Sequence, residues 1–237
     1  AGKMELEKIP FRLTGIATSI YDTFCLKAAE KGIRFIIDIA DTLPPVVIGD
    51  PARLTQILLN LAGNAVKFTE KGSVVVHIKK ATGQGTGAEL CNIYFSVEDT
   101  GPGIEEEKLF TIFESFTQVH TSGKYGGTGL GLTISKRLVG LYNSVLHAES
   151  KPGAGAVFSF ILSFETGTQD QLDEYYAEKE GYTTDDLFGI KIFLLPNVPY
   201  GITLPGSSVN AILVSCKNPI NDKTKPITTM LFNIIKI

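Results

Sequence analysis

The sequence has few of the features that are typical of extracellular, metal-binding or membrane proteins. Its 237 residues include no tryptophan, two methionines and three cysteines. Cys25, Cys91 and Cys216 are far apart, odd in number and without metal-site spacing, so we interpret them as small buried residues in a reducing compartment. No apolar run approaches the roughly 20 residues of a membrane helix, and no basic-then-apolar leader is visible. We therefore expect a cytoplasmic fragment without membrane contact of its own, and leave open a membrane anchor elsewhere in a larger receptor.

The sequence also lacks an excess of charge of one sign. It has 22 basic against 25 acidic side chains, a formal net charge of −3. Because broad nucleic-acid binding needs a basic face, this balance argues against a nucleic-acid partner. The hydrophobic content of 43% suffices for a core and excludes wholesale disorder. Many of the 24 glycines are clustered, and these clusters carry most of the functional information.

The apolar periodicity predicts an α/β fold. It favours helices over residues 14–31, from Asp50-Pro51 to Phe68, and over 130–142. Alternation favours strands over residues 34–40, 73–80, 92–98, 144–150 and 156–164. This order predicts a two-layer sandwich with helices on one face of a mixed sheet. Residues 99–128 are predicted as a long, partly mobile loop, and loops of that length are usually functional.

Composition divides the chain into four parts. Residues 1–13 are typical of a fraying helix or an edge strand that Pro10 interrupts, and residues 14–166 hold the elements just described. Residues 167–187 are acidic and poor in aliphatic side chains, which is typical of a solvated linker. Residues 188–237 are apolar and proline-rich again.

Two polar motifs follow predicted elements. In LNLAGNAVKFT, the spacing puts Asn60, Asn64 and Lys67 on one helix face, where carboxamide oxygens suit Mg²⁺ and a lysine suits phosphate. In VEDTGPGI, Asp99 ends a buried strand before a turn whose glycines allow close approach of a ligand. A carboxylate there can accept a hydrogen bond from an exocyclic amino group such as that of adenine. Taken alone, each motif is more typical of an ordinary helix surface or turn.

Two further motifs occupy the long loop. IFESF has aromatic residues at a spacing typical of a lid packed onto a core. YGGTGLGL runs into the third helix, where successive backbone N–H groups make an anion cradle. It is not a Walker loop, because no Gly-Lys-Ser/Thr follows, and the dinucleotide interpretation lacks the preceding strand that it requires.

In this order the motifs resemble the boxes of the catalytic, ATP-binding domain of sensor histidine kinases. Their superfamily, named GHKL for its members and Bergerat for its fold, also includes gyrase-type ATPases and chaperones of the ninety-kilodalton class. The resemblance covers residues 14–164. Its boxes are the N box at 60–67, the G1 box at 99–103, the F box at 113–116, the G2 box at 127–131 and a last glycine box at 152–158.

The resemblance implies a site for ATP and Mg²⁺. Asn64 would coordinate the metal with support from Asn60, and Lys67 would contact phosphate; these three would be the catalytic residues. Asp99 would bind the adenine amino group. The base would also be lined by Gly101, Gly103 and Ile104.

The remaining implied contacts come from the loop before the third helix. The triphosphate would be wrapped by Gly127, Thr128, Gly129, Leu130 and Gly131. The ATP lid would contain Phe113, Phe116 and Lys124, with the lysine reaching the γ-phosphate.

Two positions depart from the family pattern. Ala156 stands where the last glycine box often has Ser or Thr, so one polar contact near the base is absent. Asn60 stands where gyrase-type and chaperone members carry a glutamate that activates water. Because a carboxamide is not basic near neutral pH, transfer to an external nucleophile is favoured over hydrolysis.

The phosphorylated histidine of this family belongs to a helical dimerisation domain whose motif this sequence lacks. His77 and His147 lie in predicted strands and His120 in the lid, so none is interpreted as a phosphoacceptor. Residues 1–13 resemble the end of that helical dimerisation domain and the linker after it. We therefore expect a fragment of a larger kinase that does not phosphorylate itself.

The C-terminal segments loosely resemble a response-regulator receiver domain. They are IKIFLLPN, AILVSCKNP and KPITTMLFNIIKI, within residues 190–237. In that resemblance Pro196 and Asn197 replace the metal-binding acidic pair, and Ser215 replaces the phosphoacceptor aspartate. A strand-rich extension of the ATP domain is an equal alternative.

We expect the ATP-binding catalytic domain of a two-component hybrid histidine kinase. It would position Mg²⁺-ATP for γ-phosphoryl transfer to a histidine on the dimerisation domain, with a response regulator or receiver domain as the next partner. Two alternatives stay open: a regulatory pseudokinase that only binds ATP, and a GHKL-type ATPase.

Overall fold

The fold is given by a computed structural model, which describes residues 5–81, 90–109, 111–114, 130–180, 190–195 and 211–216. The chain forms two compact units, residues 1–175 and 176–237. The first contains β1 (Ile9–Phe11), α1 (Leu13–Glu30), β2 (Arg34–Ile39), β3 (Val47–Gly49), α2 (Pro51–Phe68), β4 (Ser73–Lys80), β5 (Leu90–Asp99), α3 (Glu106–Leu109), α4 (Gly131–Leu141), β6 (His147–Ser150) and β7 (Ala156–Thr166). Helix α5 (Gln169–Glu180) crosses the boundary between the units.

Seven strands of the first unit form one mixed sheet. The order is β1-β3-β7-β5-β4-β2, and β6 also pairs with β7. Strands β2 and β4 are parallel, and the other neighbours are antiparallel. Strand β3 pairs with the end of β7 and β6 with its beginning, so they occupy successive parts of the same edge. Strand β5 follows the opposite edge of β7 along its whole length.

The sheet buries one face under α1, α2 and α4. Alternate residues of β4, β5 and β7 point into this face and are buried: Val74, Val76, Ile78, Ile93, Phe95, Val97, Phe158, Phe160, Leu162 and Phe164. On the other face, Asp38 contacts Lys79 Nζ and His77 Nδ1, each at 2.8 Å, among partly exposed side chains. The predicted fold class, helices on one face of a mixed sheet, is confirmed.

Helix α2 crosses the buried face and is fixed at both ends. Asp50 caps its N-terminus, since Oδ1 accepts a hydrogen bond from Arg53 N at 2.9 Å. At the C-terminal end, Lys31 Nζ donates to the carbonyl oxygens of Val66 (2.6 Å) and Lys67 (3.0 Å). These bonds satisfy carbonyls that have no partner within the helix and put a positive charge at its negative end. The polar face of α2 is therefore held in a defined position.

Two segments outside the predicted ATP-binding domain contain regular structure, and the domain division itself stays a prediction. Residues 9–11, interpreted as part of a fraying helix or an edge strand, form the edge strand β1 and pair with β3. Pro10 is tolerated there because β1 is an edge strand, where a missing N–H costs least. Within the predicted linker 167–187, residues 169–180 form α5, whose Leu172 is buried. Burial of this apolar side chain stabilises a helix in an otherwise polar segment.

Beyond α5, the described residues of the second unit form an antiparallel pair of strands. They are β8 (Ile190–Leu195) and β9 (Ala211–Cys216). Two of the three receiver-like segments therefore contain a strand, whereas Pro196, Asn197 and residues 217–237 lie outside the described residues. A doubly wound receiver sheet is parallel, so this pair lends that hypothesis no support and it stays a prediction. No helix in the described part of the chain combines the length and apolar character that a membrane crossing requires.

Candidate functional site

Asp99, at the end of β5, is a buried carboxylate with only 9% of its surface exposed. Its Oδ1 accepts a hydrogen bond from Gly101 N at 2.8 Å, and the Ala156 N–H also bonds the carboxylate. Burial raises the pKa of the Asp99 carboxyl above its ordinary value, and these two backbone bonds oppose the rise. A buried acid with so few partners has capacity to accept a further hydrogen bond from a ligand.

The backbone packs tightly around Asp99, and glycines make this possible. Gly155 has a φ of +84°, and a Cβ there would collide with the carbonyl oxygen of Asp99. Gly103 has a φ of +72°, and a Cβ there would collide with the carbonyl oxygen of Lys151. Only glycine combines a left-handed conformation with this close approach. Residues 99–103 and 151–155 are thereby pressed against each other.

Hydrogen bonds tie these two loops together. Gly153 N donates to the Pro102 carbonyl oxygen at 2.7 Å. Ser150 Oγ accepts from Ile104 N at 2.8 Å and donates to the Gly155 carbonyl oxygen at 2.6 Å. The predicted G1 and last glycine boxes therefore form one wall, with Ile104 half-buried against the core.

Asn60 and Asn64 lie on the face of α2 that meets the start of α4. Asn60 Nδ2 donates to the Gly131 carbonyl oxygen and to Ser135 Oγ, each at 3.4 Å. A Cβ on Gly131 would lie 3.9 Å from Asn64 Nδ2 and equally far from Asn60 Cγ. Leu130, the N-cap of α4, makes no side-chain cap bond, and the first turn has no acidic residue. The N–H groups of this turn are therefore available to an anion.

Lys67 and Phe113 are placed by aromatic contacts. Lys67 Nζ lies 4.8 Å from the centroid of the Phe68 ring. The Phe113 ring meets Phe158 edge-on at 6.5 Å, and Lys136 Nζ lies 5.4 Å from its centroid. Thr133 Oγ1 also donates to the Phe113 carbonyl oxygen at 3.2 Å. Phe113 thus attaches the beginning of the predicted lid to β7 and α4.

Helix α2 joins the two groups of predicted site residues. Asn64 faces Gly131, and five residues later the helix end faces Gly101. A Cβ on Gly101 would lie 3.4 Å from the Phe68 carbonyl oxygen and 3.5 Å from Thr69 Oγ1. Five residues correspond to about 7.5 Å along a helix. Asp99 and the two asparagines therefore border adjoining parts of one region.

Not every predicted site residue can be placed. Those outside the described residues are Phe116, Lys124, Gly127, Thr128 and Gly129. Four residues of this region were not predicted from the sequence. Thr133, Ser135 and Ser150 make hydrogen bonds there, and Thr69 lies close to Gly101. A polar residue directly after the apolar stripe of α2 was the available signal for Thr69.

The donor atoms suit a hard cation only with help from a ligand. Among the described residues, no group of three or more His, Cys, Asp or Glu side chains could hold a metal ion. Asn64, whose Nδ2 would lie 3.9 Å from a Cβ on Gly131, carries a carboxamide oxygen close to the start of α4. Mg²⁺ commonly takes one or two protein ligands together with phosphate oxygens and water, so the residues present fit Mg²⁺ brought in with a nucleotide.

The comparisons with known proteins agree on one family. Residues 49–166 match the family described as "Histidine kinase-, DNA gyrase B-, and HSP90-like ATPase". The chain is 35% identical over 213 residues to Histidine kinase 3 of Arabidopsis thaliana, covering 71% of this chain and 21% of that protein. It is 40% identical over 182 residues to Hybrid signal transduction histidine kinase F of Dictyostelium discoideum, covering 76% and 16%.

A solved structure agrees with these sequence matches. Full-length ShkA in complex with AMPPNP superimposes with a TM-score of 0.60 at 36% identity, covering 71% of this chain and 33% of that one. The chain spans 21% and 16% of the length of these two curated relatives.

Proposed function

This chain belongs, through residues 49–166, to the family of histidine kinase-, DNA gyrase B- and HSP90-like ATPases and carries the ATP-binding domain of a sensor histidine kinase; from that premise we propose that it holds Mg²⁺-ATP with the γ-phosphate presented to a histidine of another domain. The base would bind at Asp99 and the phosphates at the start of α4. Asn64 would supply the protein oxygen for Mg²⁺, with Asn60 and Lys67 beside it. Catalysis would come from positioning and charge neutralisation.

The observation that carries this proposal is the position of Asn60. Its amide nitrogen donates to Gly131 and Ser135, so the side chain supports the first turn of α4. A neutral amide that is already used as a donor cannot take a proton from water. This favours transfer of the γ-phosphoryl group to a nucleophile over hydrolysis.

The partners follow from the same proposal. The relative from Dictyostelium discoideum is a hybrid signal transduction histidine kinase. We infer that the nucleophile is a histidine of a dimerisation domain in the same kinase, and that a receiver domain accepts the phosphoryl group next. A cytoplasmic location is part of the proposal, because ATP and reduced thiols are found there.

The test combines this chain with a histidine-bearing dimerisation domain of such a kinase and γ-labelled Mg²⁺-ATP. We expect saturable ATP binding to the chain and label on the histidine of the added domain. Asn64→Ala should weaken magnesium-dependent ATP binding about tenfold and remove the label. Asn92→Ala is the matched control, because Asn92 lies outside the site and contacts Ser163.

Three other results would contradict the proposal. Binding without labelled histidine identifies a pseudokinase. Steady phosphate release by the isolated chain identifies an ATPase. Absence of ATP binding removes the proposed site altogether.

A further inference from the structure

Thr69 has a buried hydroxyl that no other described residue contacts by a hydrogen bond. The residue directly follows α2, and its backbone N–H donates to the Ala65 carbonyl oxygen at 3.0 Å. The side chain is fully buried, yet Oγ1 has no hydrogen-bond partner among the described residues. It is the one buried side-chain polar atom in that part of the chain with this property. Because buried polar groups are nearly always paired, this hydroxyl points to a ligand.

The hydroxyl faces the same place as the Asp99 carboxylate. A Cβ on Gly101 would lie 2.8 Å from Asp99 Oδ1 and 3.5 Å from Thr69 Oγ1. The two oxygens are therefore no farther apart than the sum of these distances. The exocyclic amino group and the adjacent ring nitrogen of a purine can bridge such a separation directly or through one water molecule.

Two nearby residues do not compete with Thr69 for this role: Thr100, which has a hydroxyl, and Ala156, which stands where the family often has Ser or Thr. Thr100 Oγ1 accepts a hydrogen bond from Ser73 N and lies within bonding distance of the Lys71 and Ser73 carbonyl oxygens, so the turn already uses it. Ala156, opposite Asp99 in β7, has no side-chain hydroxyl. Thr69 is thus the described hydroxyl that is free to act beside Asp99.

The geometry points to Thr69 as a base-recognition residue: its hydroxyl donates a hydrogen bond to the adenine ring nitrogen N1, directly or through one water molecule, while Asp99 accepts from the amino group at C6. This inference rests on the proposed function and adds a specificity-determining residue to it. The pair matches the edge of adenine, which has a donor at C6 and an acceptor at N1. Guanine presents an acceptor oxygen at C6, which a carboxylate repels.

The test uses an ATP analogue that lacks only this acceptor, 1-deaza-ATP, in which N1 is replaced by C–H. Calorimetry on the full chain should give wild-type binding about tenfold weaker for 1-deaza-ATP than for ATP. Thr69→Val should weaken ATP binding about tenfold and leave 1-deaza-ATP binding unchanged. Thr69→Ser, which keeps the hydroxyl, should retain most of the preference for ATP.

Folding is checked separately. Because valine has the shape of threonine and removes an unpaired polar atom, Thr69→Val should unfold at the same or a higher temperature than the wild type. Thr18→Val, on the exposed face of α1, is the control for a threonine-to-valine change.

Several outcomes would overturn the inference. They are equal weakening of both nucleotides in Thr69→Val, no weakening of either, or a wild type that does not distinguish ATP from 1-deaza-ATP. The last comparison needs no variant, so a misfolded variant does not prevent a decision. If the wild type binds ATP and Asp99→Asn loses it, the proposed function survives such a failure. If the wild type binds neither nucleotide, the proposed function fails as well.

Discussion

The proposed base end and the proposed phosphate end of the site are built in different ways. At the base end, backbone meets backbone: Gly155 lies against Asp99, and Gly153 N bonds the Pro102 carbonyl. At the phosphate end, the Asn60 side chain of α2 bonds the start of α4 through two hydrogen bonds of 3.4 Å. The base pocket is therefore a product of the fold itself. The phosphate side uses carboxamides that the fold needs much less, so stability and function should separate there.

The largest expected effect is at the base end. Gly155→Ala should lower the free energy of unfolding by about 3 kcal/mol, because the new Cβ meets the Asp99 carbonyl and the left-handed backbone is strained. Urea unfolding measures this. Gly153→Ala is the matched control, since its φ is +79° but nothing lies within 4 Å of a Cβ there. It should cost about 1 kcal/mol, and equal losses at the two positions would refute the close-contact argument.

The next effect separates binding from stability at the same end. Asp99→Asn should weaken ATP binding by about 2 kcal/mol, roughly thirtyfold, because a charge-assisted hydrogen bond is lost. Calorimetry measures this, with exposed Asp41→Asn as the control. Affinity that is unchanged by Asp99→Asn would show that this carboxylate does not bind the base.

The same variant should not lose stability without nucleotide. Burial raises the pKa of Asp99 in the folded state. The favourable contribution of Asp99 to the free energy of unfolding is therefore complete below the pKa of the unfolded state and is lost as the pH rises through the pKa of the folded state. The variant has no such titration. Its free energy of unfolding relative to the wild type should therefore increase from acidic to neutral pH and then level off. A relative stability that falls over this range would contradict the sign of the shift.

The smallest expected effect on stability is at the phosphate end. Asn60→Ala removes two long hydrogen bonds of a half-buried amide, so the free energy of unfolding should fall by less than about 1 kcal/mol. Labelling of the histidine in the assay above should nevertheless fall, because the first turn of α4 loses its support. A loss of stability as large as that of Gly155→Ala would erase the difference between the two ends.

The sequence predicted the features that repeat along an element. The helix that starts at Asp50-Pro51 and the strand over residues 92–98 follow from local spacing and are found in the structure as α2 and within β5. The shared face of Asn60 and Asn64 follows in the same way. The order of the glycine motifs then identified the family, which the comparisons confirm.

Other features depend on contacts between distant residues and could not be predicted. Strand β3 has three residues, too few for a period, and exists because it pairs with β1 and β7. Lys31 bonds α2 from 35 residues away. Thr69 is one more polar residue at a helix end in the sequence, and only the structure shows that its buried hydroxyl has no partner among the described residues and lies close to Gly101.

The proline in the outermost strand has a consequence for self-association. An unpaired strand can act as a template on which a second copy adds, and repeated addition produces fibres. Strand β1 is three residues long, and Pro10 in its middle has no N–H to offer. Strand β1 is therefore too short, and has too few backbone N–H donors, for a strand of a second copy to pair with it and extend the sheet.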